Sequence, residues 1–251
     1  MNQNIAIIIQ ARTGSTRLPN KMIMPFADGK TILEIIIERL KMFVDLPIIL
    51  ATTTNKADNA LEDVANKLQV VCFRGSESNV LNRFIAAASF AGTQKIIRVC
   101  ADNPFLNALA MNELVLVASQ SSADYVGFRI NDKPSIKTHF GFWGEYVTLD
   151  ALKRVATITT QPLYLEHVTN YLYEHPEIFD IEWIKTPEAV VDREDIRLTI
   201  DTMTDFTNAN TIYDEVYKSS INPTLAEVVN ILDQTPQLLE QMKLEITKNS
   251  K

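Results

Sequence analysis

Short apolar runs alternate with amphipathic stretches through the first half of this chain. The apolar runs have the length and β-branched content of strands and cover Ile5–Gln10, Pro47–Thr52, Val70–Arg74, Lys95–Val99 and Tyr125–Phe128. The stretches between them repeat their apolar residues at helical spacing and cover Ile32–Lys41, Asp58–Leu68, Asn79–Phe90 and Ala108–Ser119. Strands separated by crossover helices predict an α/β fold, with a mostly parallel twisted sheet and helices on both faces.

The alternation breaks at Asp132, and the next stretch predicts an insertion that leaves the sheet. The pattern there and beyond predicts helices at Leu149–Thr157, Leu163–His175, Asp205–Tyr217, Thr224–Leu232 and Pro236–Thr247, and strands at Phe179–Ile184 and Arg197–Asp201. No linker rich in glycine, serine and proline separates the parts. The sequence therefore predicts one domain over residues 1–251, with an insertion at about 132–183.

The segment after the first apolar run, Ala11 to Lys21, is small, hydroxylated and cationic, with a possible bend at Gly14. It carries Arg12, Arg17 and Lys21 at the carboxyl end of a strand that should be buried on both faces. Backbone N–H groups and three cations in such a loop indicate an anion site, and phosphate is the obvious candidate. An ordinary polar connection would leave these cations without a counter-charge.

Two known phosphate motifs do not account for this loop. No G-x-G-x-x-G is present, and the Gly29-Lys30-Thr31 triplet lacks the first glycine of a P-loop, where Met24 stands instead. Thr31 and Glu34 predict a capping box that begins a helix. A P-loop kinase or NTPase is therefore not the expected class.

Composition and charge narrow the class of partners. The 251 residues are 46% hydrophobic and 22% charged, with a formal net charge of −7. This charge disfavours binding to nucleic acid or to an anionic membrane. The two cysteines, Cys72 and Cys100, lie in apolar runs without metal spacing, which is typical of buried thiols in the cytoplasm. No signal peptide or membrane-spanning run is expected.

Two acidic residues end apolar runs and predict a metal site. Asp102 and Asp201 would both face the edge of the sheet that carries the cationic loop. Carboxylates beside a phosphate need a cation between them, and oxygen ligands suit Mg²⁺. Taken singly, each aspartate could instead form a turn, and Asp205 could cap the following helix.

The Arg74-Gly75-Ser76 turn lies between a predicted strand and a predicted helix, and Thr52 ends another strand. Either place could recognise a base or ribose, or could be an ordinary capped turn. The three histidines have no zinc spacing, and no G-x-S-x-G nucleophile motif is present.

Six motifs, in order along the chain, resemble one known family. They are IIIQARTGSTRLPNKMI, ATTTNKADNAL, FRGSESNVLNRF, RVCADNPFL, LEHVTNYL and RLTIDTMTDF. Together they resemble the cytidylyltransferases of the spore-coat polysaccharide biosynthesis protein F type, which are relatives of acylneuraminate and 3-deoxy-manno-octulosonate cytidylyltransferases. The resemblance extends from the first strand to about Phe206.

The resemblance implies a GT-A-like nucleotidyltransferase fold and transfer of CMP from CTP to a sugar acid, with release of pyrophosphate. It implies that the triphosphate is surrounded by Arg12, Ser15, Arg17 and Lys21. The loop backbone near Ala11 and Gly14, with the turn Arg74–Ser76, would face the cytosine. Asp102 and Asp201 would hold Mg²⁺. Arg12 and Lys21 would stabilise the leaving pyrophosphate, and the Glu166-His167 element would lie on the sugar side or at a dimer contact.

The chain departs from the family pattern at two places. Asn20 stands where glycine is usual, and Met203-Thr204 replaces a common Pro-Glu. Two other functions stay open: a GT-A glycosyltransferase that consumes a nucleotide-sugar, although Asp102-Asn103-Pro104 replaces its usual Asp-x-Asp, and a non-catalytic nucleotide-binding protein.

A homodimer is expected through the predicted insertion. The reason is its aromatic side chains, which a monomer would have difficulty covering: Phe140, Phe142, Trp143 and Trp183.

Overall fold

The computed structural model describes residues 4–249, apart from the side chain of Ser219. The strands are β1 Ile5–Gln10, β2 Pro25–Ala27, β3 Lys30–Thr31, β4 Ile48–Thr53, β5 Val71–Gly75, β6 Lys95–Cys100, β7 Tyr125–Ile130, β8 Lys133–Pro134, β9 Glu145–Thr148 and β10 Ile181–Lys185. The α-helices are α1 Ile32–Phe43, α2 Asn59–Lys67, α3 Val80–Phe90, α4 Ala108–Gln120, α5 Leu149–Ile158, α6 Pro162–Glu166, α7 Asn170–Glu174, α8 Met203–Ser219, α9 Leu225–Asp233 and α10 Pro236–Lys248.

The main sheet has eight strands, seven of them in the order β10-β7-β9-β6-β1-β4-β5, with β8 paired to β7. Strand β1 pairs in parallel with both β4 and β6, β4 with β5, and β7 with β10. Strand β9 runs antiparallel between β6 and β7. The prediction of a mostly parallel sheet is therefore confirmed.

Strand β1 contributes to a hydrophobic core on each face of the sheet. Ile5, Ile7 and Ile9 pack into a core with α1, α4, α8 and α9, whereas Ala6 and Ile8 pack into a core with α3 and α5. All five side chains are buried, which explains why this strand is an uninterrupted apolar run rather than an alternating one. The cationic loop thus leaves a rigid, doubly covered strand.

Helix α1 begins as the sequence predicts. The backbone N–H of Glu34 donates to Thr31 Oγ1 at 3.2 Å, and the backbone N–H of Thr31 donates to Glu34 Oε2 at 2.7 Å. The reciprocal pair satisfies two amides that the first helical turn leaves without partners. At α8 the N-cap is Thr202, and Asp205 is the third residue of the helix in the same kind of box.

The predicted excursion at 132–183 is wrong in one respect, because β9 lies inside the sheet. Glu145 of β9 is the register partner of Arg98 on β6, and the two side chains form a buried ion pair. Tyr125 of β7 donates its hydroxyl to Glu145 Oε1 at 2.6 Å. This polar network joins three strands, and its charges compensate each other only when β9 is between β6 and β7.

The aromatic argument for a dimer is also wrong. Phe140, Phe142 and Trp143 are at most 4% exposed, because they pack on one another and on Phe128. Trp183 is half-buried and its ring packs edge-on against Tyr125. The homodimer stays a prediction, without this support.

Two predicted elements differ in the structure. The helix predicted at Leu163–His175 is divided into α6 and α7, and Thr169 in the break donates to the buried carboxylate of Glu145 at 3.1 Å. The strand predicted at Arg197–Asp201 joins no sheet, because the backbone N–H groups of Leu198 and Ile200 donate to the carbonyls of His139 and Asp102, which are loop residues.

Within residues 4–249, no helix is long and apolar enough to cross a membrane.

Candidate functional site

An open cavity of about 330 Å³ lies at the carboxyl ends of β1 and β6. This is the edge at which parallel α/β sheets bind ligands. Seven of the predicted site residues line it: Ala11, Arg12, Ser15, Arg17, Lys21, Asp102 and Asp201. The structure therefore brings the cationic loop and both aspartates to one cavity, although they are far apart in the sequence.

Asp58 holds the cationic loop in place from beneath. Its Oδ1 accepts hydrogen bonds from the backbone N–H of Thr13 at 2.8 Å and from the Thr13 hydroxyl at 2.6 Å, while Oδ2 accepts from the Thr53 hydroxyl. The carboxylate is 2% exposed. Burial alone would raise the pKa of Asp58, but the hydrogen bonds from Thr13 and Thr53 outweigh burial and lower it. The loop is thus tied to the end of β4.

This depressed pKa gives a testable dependence of stability on pH. The ionised carboxylate stabilises the fold above the unfolded pKa of about 3.9, and this contribution is lost as pH falls through the lower, folded pKa. Asp58→Asn should therefore be less stable than the wild type near neutral pH, by about 1–2 kcal/mol. The difference should shrink in acid. Chemical denaturation at several pH values measures both, and a constant difference across the range would contradict this assignment.

The backbone of the loop explains the departure at Asn20. Asn20 has φ of 61°, in the left-handed region that favours glycine, and its N–H donates to the carbonyl of Thr13 at 3.0 Å. Asparagine tolerates this region better than other non-glycine residues do. Asn20 can therefore form this left-handed turn without glycine.

Lys21 lies between the two aspartates. Its Nζ is 3.2 Å from Asp102 Oδ2 and 3.7 Å from Asp201 Oδ1, and it also donates to the carbonyl of Ile200. The whole residue is only 7% exposed. Two carboxylates thus share one ammonium group, which offsets their mutual repulsion.

Two arginines also form ion pairs with Asp201. Arg17 Nη2 is 2.8 Å from Oδ1, and Arg197 Nη2 donates to Oδ2 at 3.1 Å. Arg197 is 1% exposed and also donates to both oxygens of Asp205, at 2.7 and 2.9 Å. Burial opposes ionisation of Asp205, but the bonds from Arg197 prevail and lower its pKa. Arg197 therefore orients the Asp201 carboxylate from beneath the cavity.

Arg12 connects the loop to the far wall of the cavity. Its Nη2 is 2.8 Å from Glu166 Oε1 on α6, and both side chains are about one third exposed. The pair lies within reach of solvent, so its strength is modest and either partner can exchange to a ligand. His167, the neighbour of Glu166, also lines the cavity.

Five other predicted site residues, Gly14, Thr52, Arg74, Gly75 and Ser76, do not line this cavity. The guanidinium of Arg74 is engaged elsewhere, donating to Glu62, Asn59 and two backbone carbonyls of the β4 end.

The turn after β5 nevertheless borders the loop. A Cβ on Gly14 would lie 3.6 Å from Glu77 Oε1, which places the two segments side by side. Arg83, with no exposed surface, donates to the carbonyl of Ser76 from below. A Cβ on Gly75 would be 3.1 Å from Arg83 Cγ, so glycine makes room for this arginine. Arg83 therefore positions the turn.

The two aspartates fit a divalent cation of the Mg²⁺ type. They are close enough to share one ammonium group, so a single metal ion could contact both. No cluster of three or more carboxylate, histidine or cysteine ligands occurs within residues 4–249. Mg²⁺ commonly takes only one or two protein carboxylates and completes its shell with water and substrate phosphates. Two aspartates are enough for a Mg²⁺ ion that is bound in this way.

Comparisons with known proteins show the family of this chain. The profile of the cytidylyltransferase family matches residues 6–248. The chain belongs to the cytidylyltransferase family. It is 28% identical over 239 residues to the spore coat polysaccharide biosynthesis protein SpsF of Bacillus subtilis, covering 93% of this chain and 95% of that protein. It is 39% identical over 234 residues to the uncharacterised protein MJ1063 of Methanocaldococcus jannaschii, covering 92% and 91%.

A solved structure shares the architecture of this cytidylyltransferase. The cytidylyltransferase from Leptospira borgpetersenii superposes with a TM-score of 0.83 at 27% identity, covering 94% of this chain and 96% of that one. The nucleotidyltransferase fold is therefore confirmed, and the protein is a nucleotidyltransferase enzyme.

The sequence did not predict the three residues that position the site from beneath. Asp58 was placed only at a helix start, and Arg83 and Arg197 were placed only within a helix and a strand. Each arginine stands in a mainly apolar motif, VLNRF or RLTI, which is the available signal. A cation in an apolar run indicates a buried ion pair or a buried carbonyl partner.

Proposed function

We propose that this cytidylyltransferase transfers CMP from CTP to a sugar acid and releases pyrophosphate, with Mg²⁺ bound by Asp102 and Asp201. The proposal includes a cytoplasmic location and a homodimer, which rest on composition and on the family resemblance. The family match disfavours the two functions that the sequence had left open, a GT-A glycosyltransferase and a non-catalytic binding role.

One observation carries the proposal: three cations of a single loop face three carboxylates in one cavity. Arg12, Arg17 and Lys21 come from the loop after β1, and each contacts an acidic side chain that lines the same cavity. A triphosphate can take over such cations, because phosphate oxygens accept charge-assisted hydrogen bonds at least as well as carboxylates do. The carboxylates are then released toward a metal.

In the proposed reaction a hydroxyl of the sugar acid attacks the α-phosphorus of CTP, and pyrophosphate leaves in line. Lys21 and Arg12 would donate to the oxygens on which negative charge develops, which lowers the barrier mainly by electrostatics. Mg²⁺, when bound, would withdraw charge from the phosphates. Arg197, which does not belong to the loop, would keep Asp201 oriented. Glu166, once Arg12 turns to the triphosphate, would face the sugar side.

The deciding experiment is pyrophosphate release from each of the four nucleoside triphosphates, with and without candidate sugar acids. The proposal expects release only when CTP and a sugar acid are both present. Turnover of a ready-made nucleotide-sugar would favour a glycosyltransferase, and no reaction with any combination would favour a binding protein.

CTP should also bind more tightly than the purine nucleotides. The resemblance implies that the loop backbone and the Arg74–Ser76 turn would face the base. A site sized for a pyrimidine would exclude purines by size and by unmatched hydrogen bonds. We expect at least about tenfold weaker binding of ATP and GTP, since one unmatched buried hydrogen bond has about that effect. Calorimetric titration measures it. Equal affinity for ATP and CTP would contradict a cytosine site.

A further inference from the structure

Several residues that line the cavity carry a buried polar atom with no hydrogen-bond partner among the described residues. These atoms are Gln10 Oε1, Arg98 Nε, Asn103 Oδ1, Trp143 Nε1 and Thr199 Oγ1, and each belongs to a residue that lines the cavity. Buried polar groups in native proteins are nearly always paired, and each exception calls for an explanation. Five such residues line one cavity, so a ligand or a bound water that reaches these atoms would supply the missing partners.

Asn103 and Trp143 are the best defined of these groups. Each is 4% exposed. The Trp143 ring packs against Phe128, Phe140 and Phe142 at centroid distances of 5.6, 5.8 and 5.4 Å, so the indole N–H is held in a fixed direction. The carbonyl of Asn103 accepts from the N–H of Leu106 at 3.1 Å, which fixes the backbone beneath its amide. Both groups are therefore preorganised.

Gly141 packs closely against the amide of Asn103. It has φ of +70°, and a Cβ there would lie 3.1 Å from Asn103 Oδ1 and 3.3 Å from Thr199 Cγ2. Asn103, Thr199 and Gly141 are thus close neighbours, and Trp143 is two residues further along the chain. We call these four residues, together with Gln10, the inner recess.

The inner recess carries no formal charge. Its members offer amide groups, an indole N–H and a hydroxyl. Arg98 is the charged residue among the five that carry an unpartnered atom, and buried Glu145 already compensates its charge. Hydroxyl groups both donate and accept, so they match such a wall. A carboxylate or phosphate would bring an uncompensated charge next to an amide oxygen.

We propose that the inner recess binds hydroxyl groups of the acceptor, with Asn103 and Trp143 as the residues that determine acceptor specificity. This inference rests on the proposed function, because it takes the acceptor to be the second substrate of the same cavity. The acceptor is therefore a polyhydroxylated compound whose neutral hydroxyl-bearing part, rather than its carboxylate, is recognised here.

A binding measurement tests the recess without turnover. The chain has two tryptophans, so in a Trp183→Phe background the fluorescence reports on Trp143 alone. The probes are 3-deoxy-manno-octulosonate, N-acetylneuraminate and the methyl ester of N-acetylneuraminate, each added with an α,β-methylene analogue of CTP. We expect a saturable change with at least one hydroxylated probe, and the methyl ester should keep any response that its parent acid gives. No saturable response to any of the three would overturn the proposal, as would loss of the response on esterification.

Steady-state kinetics provide a second test of the inner recess. Asn103→Ala and Trp143→Phe should each raise the acceptor KM by at least about tenfold, the effect of one lost hydrogen bond in a dry site, with the calorimetric CTP affinity unchanged. Asn112→Ala, at an exposed asparagine on α4, is the matched control and should alter neither quantity. An unchanged acceptor KM in both variants would overturn the recess while leaving the proposed function intact. Saturable fluorescence without pyrophosphate release would support the recess and reject the proposed transfer.

Discussion

Replacing Lys21 with methionine should slow turnover by about 10²–10³-fold, the loss that follows removal of one preorganised charge donor at a developing anion. Lys21 is the group that both aspartates share, at 3.2 and 3.7 Å, and methionine keeps most of the buried stem while removing the ammonium. The affinity for CTP should fall much less than kcat, because the leaving pyrophosphate gains charge only in the transition state.

The Lys21 substitution should also lower stability, contrary to what a polar loop suggests. The residue is 7% exposed, and without it Asp102 and Asp201 lose their common counter-charge. We expect the free energy of unfolding to fall by about 1–2 kcal/mol. This is less than for a fully buried ion pair, because Asp102 is partly open to solvent. Steady-state kinetics and thermal unfolding measure the two effects. Lys30→Met is the matched control, since Lys30 pairs with Glu38 on the surface. Near-normal turnover of Lys21→Met would remove this lysine from the mechanism.

Replacing Asp201 with asparagine should lower kcat by about 10²-fold or more. The reason is the loss of a strong electrostatic contact at the reacting centre. Arg17, Arg197 and Lys21 all contact this carboxylate. Asparagine keeps its size and leaves these cations without their shared anion, so both the metal site and the positions of the cations should change. Asp102→Asn should act in the same direction.

The double variant of Asp102 and Asp201 should be little worse than either single one, because residues that act as a unit are strongly non-additive. Calorimetric titration of Mg²⁺ in the presence of CTP gives a second readout, and each single variant should bind the ion more weakly. Asp132→Asn is a suitable control, since its side chain is 98% exposed. If both single variants kept most of their activity and their Mg²⁺ affinity, the two aspartates would be turn residues and the metal would bind elsewhere.

Arg12 and Glu166 show how nucleotide and acceptor binding can be connected in such a cavity. The pair spans the cavity from the loop to α6, at 2.8 Å. Under the proposed function, a triphosphate that attracts Arg12 would free Glu166 for the acceptor.

The sequence by itself determined the elements whose causes are local. Strand β1 is apolar at every buried position, and the helices α1 to α4 follow from apolar spacing within their own residues. The capping box of Thr31 and Glu34 could be predicted because both partners lie within one turn. The loop cations and the two aspartates were found because each follows an apolar run, and in a parallel sheet such ends meet at one edge.

Only the tertiary structure decided which of these groups contact one another. Lys21 and Asp102 are 81 residues apart, and Arg12 and Glu166 are 154 apart. The place of β9 between β6 and β7 follows from the Arg98–Glu145 pair, and the burial of Phe140 and Trp143 follows from packing on Phe128. Arg197 and Asp58 became functional residues only when their partners were known. Local patterns record which face of an element is buried, whereas a contact between distant residues depends on how the elements pack, and no short window of sequence contains both partners.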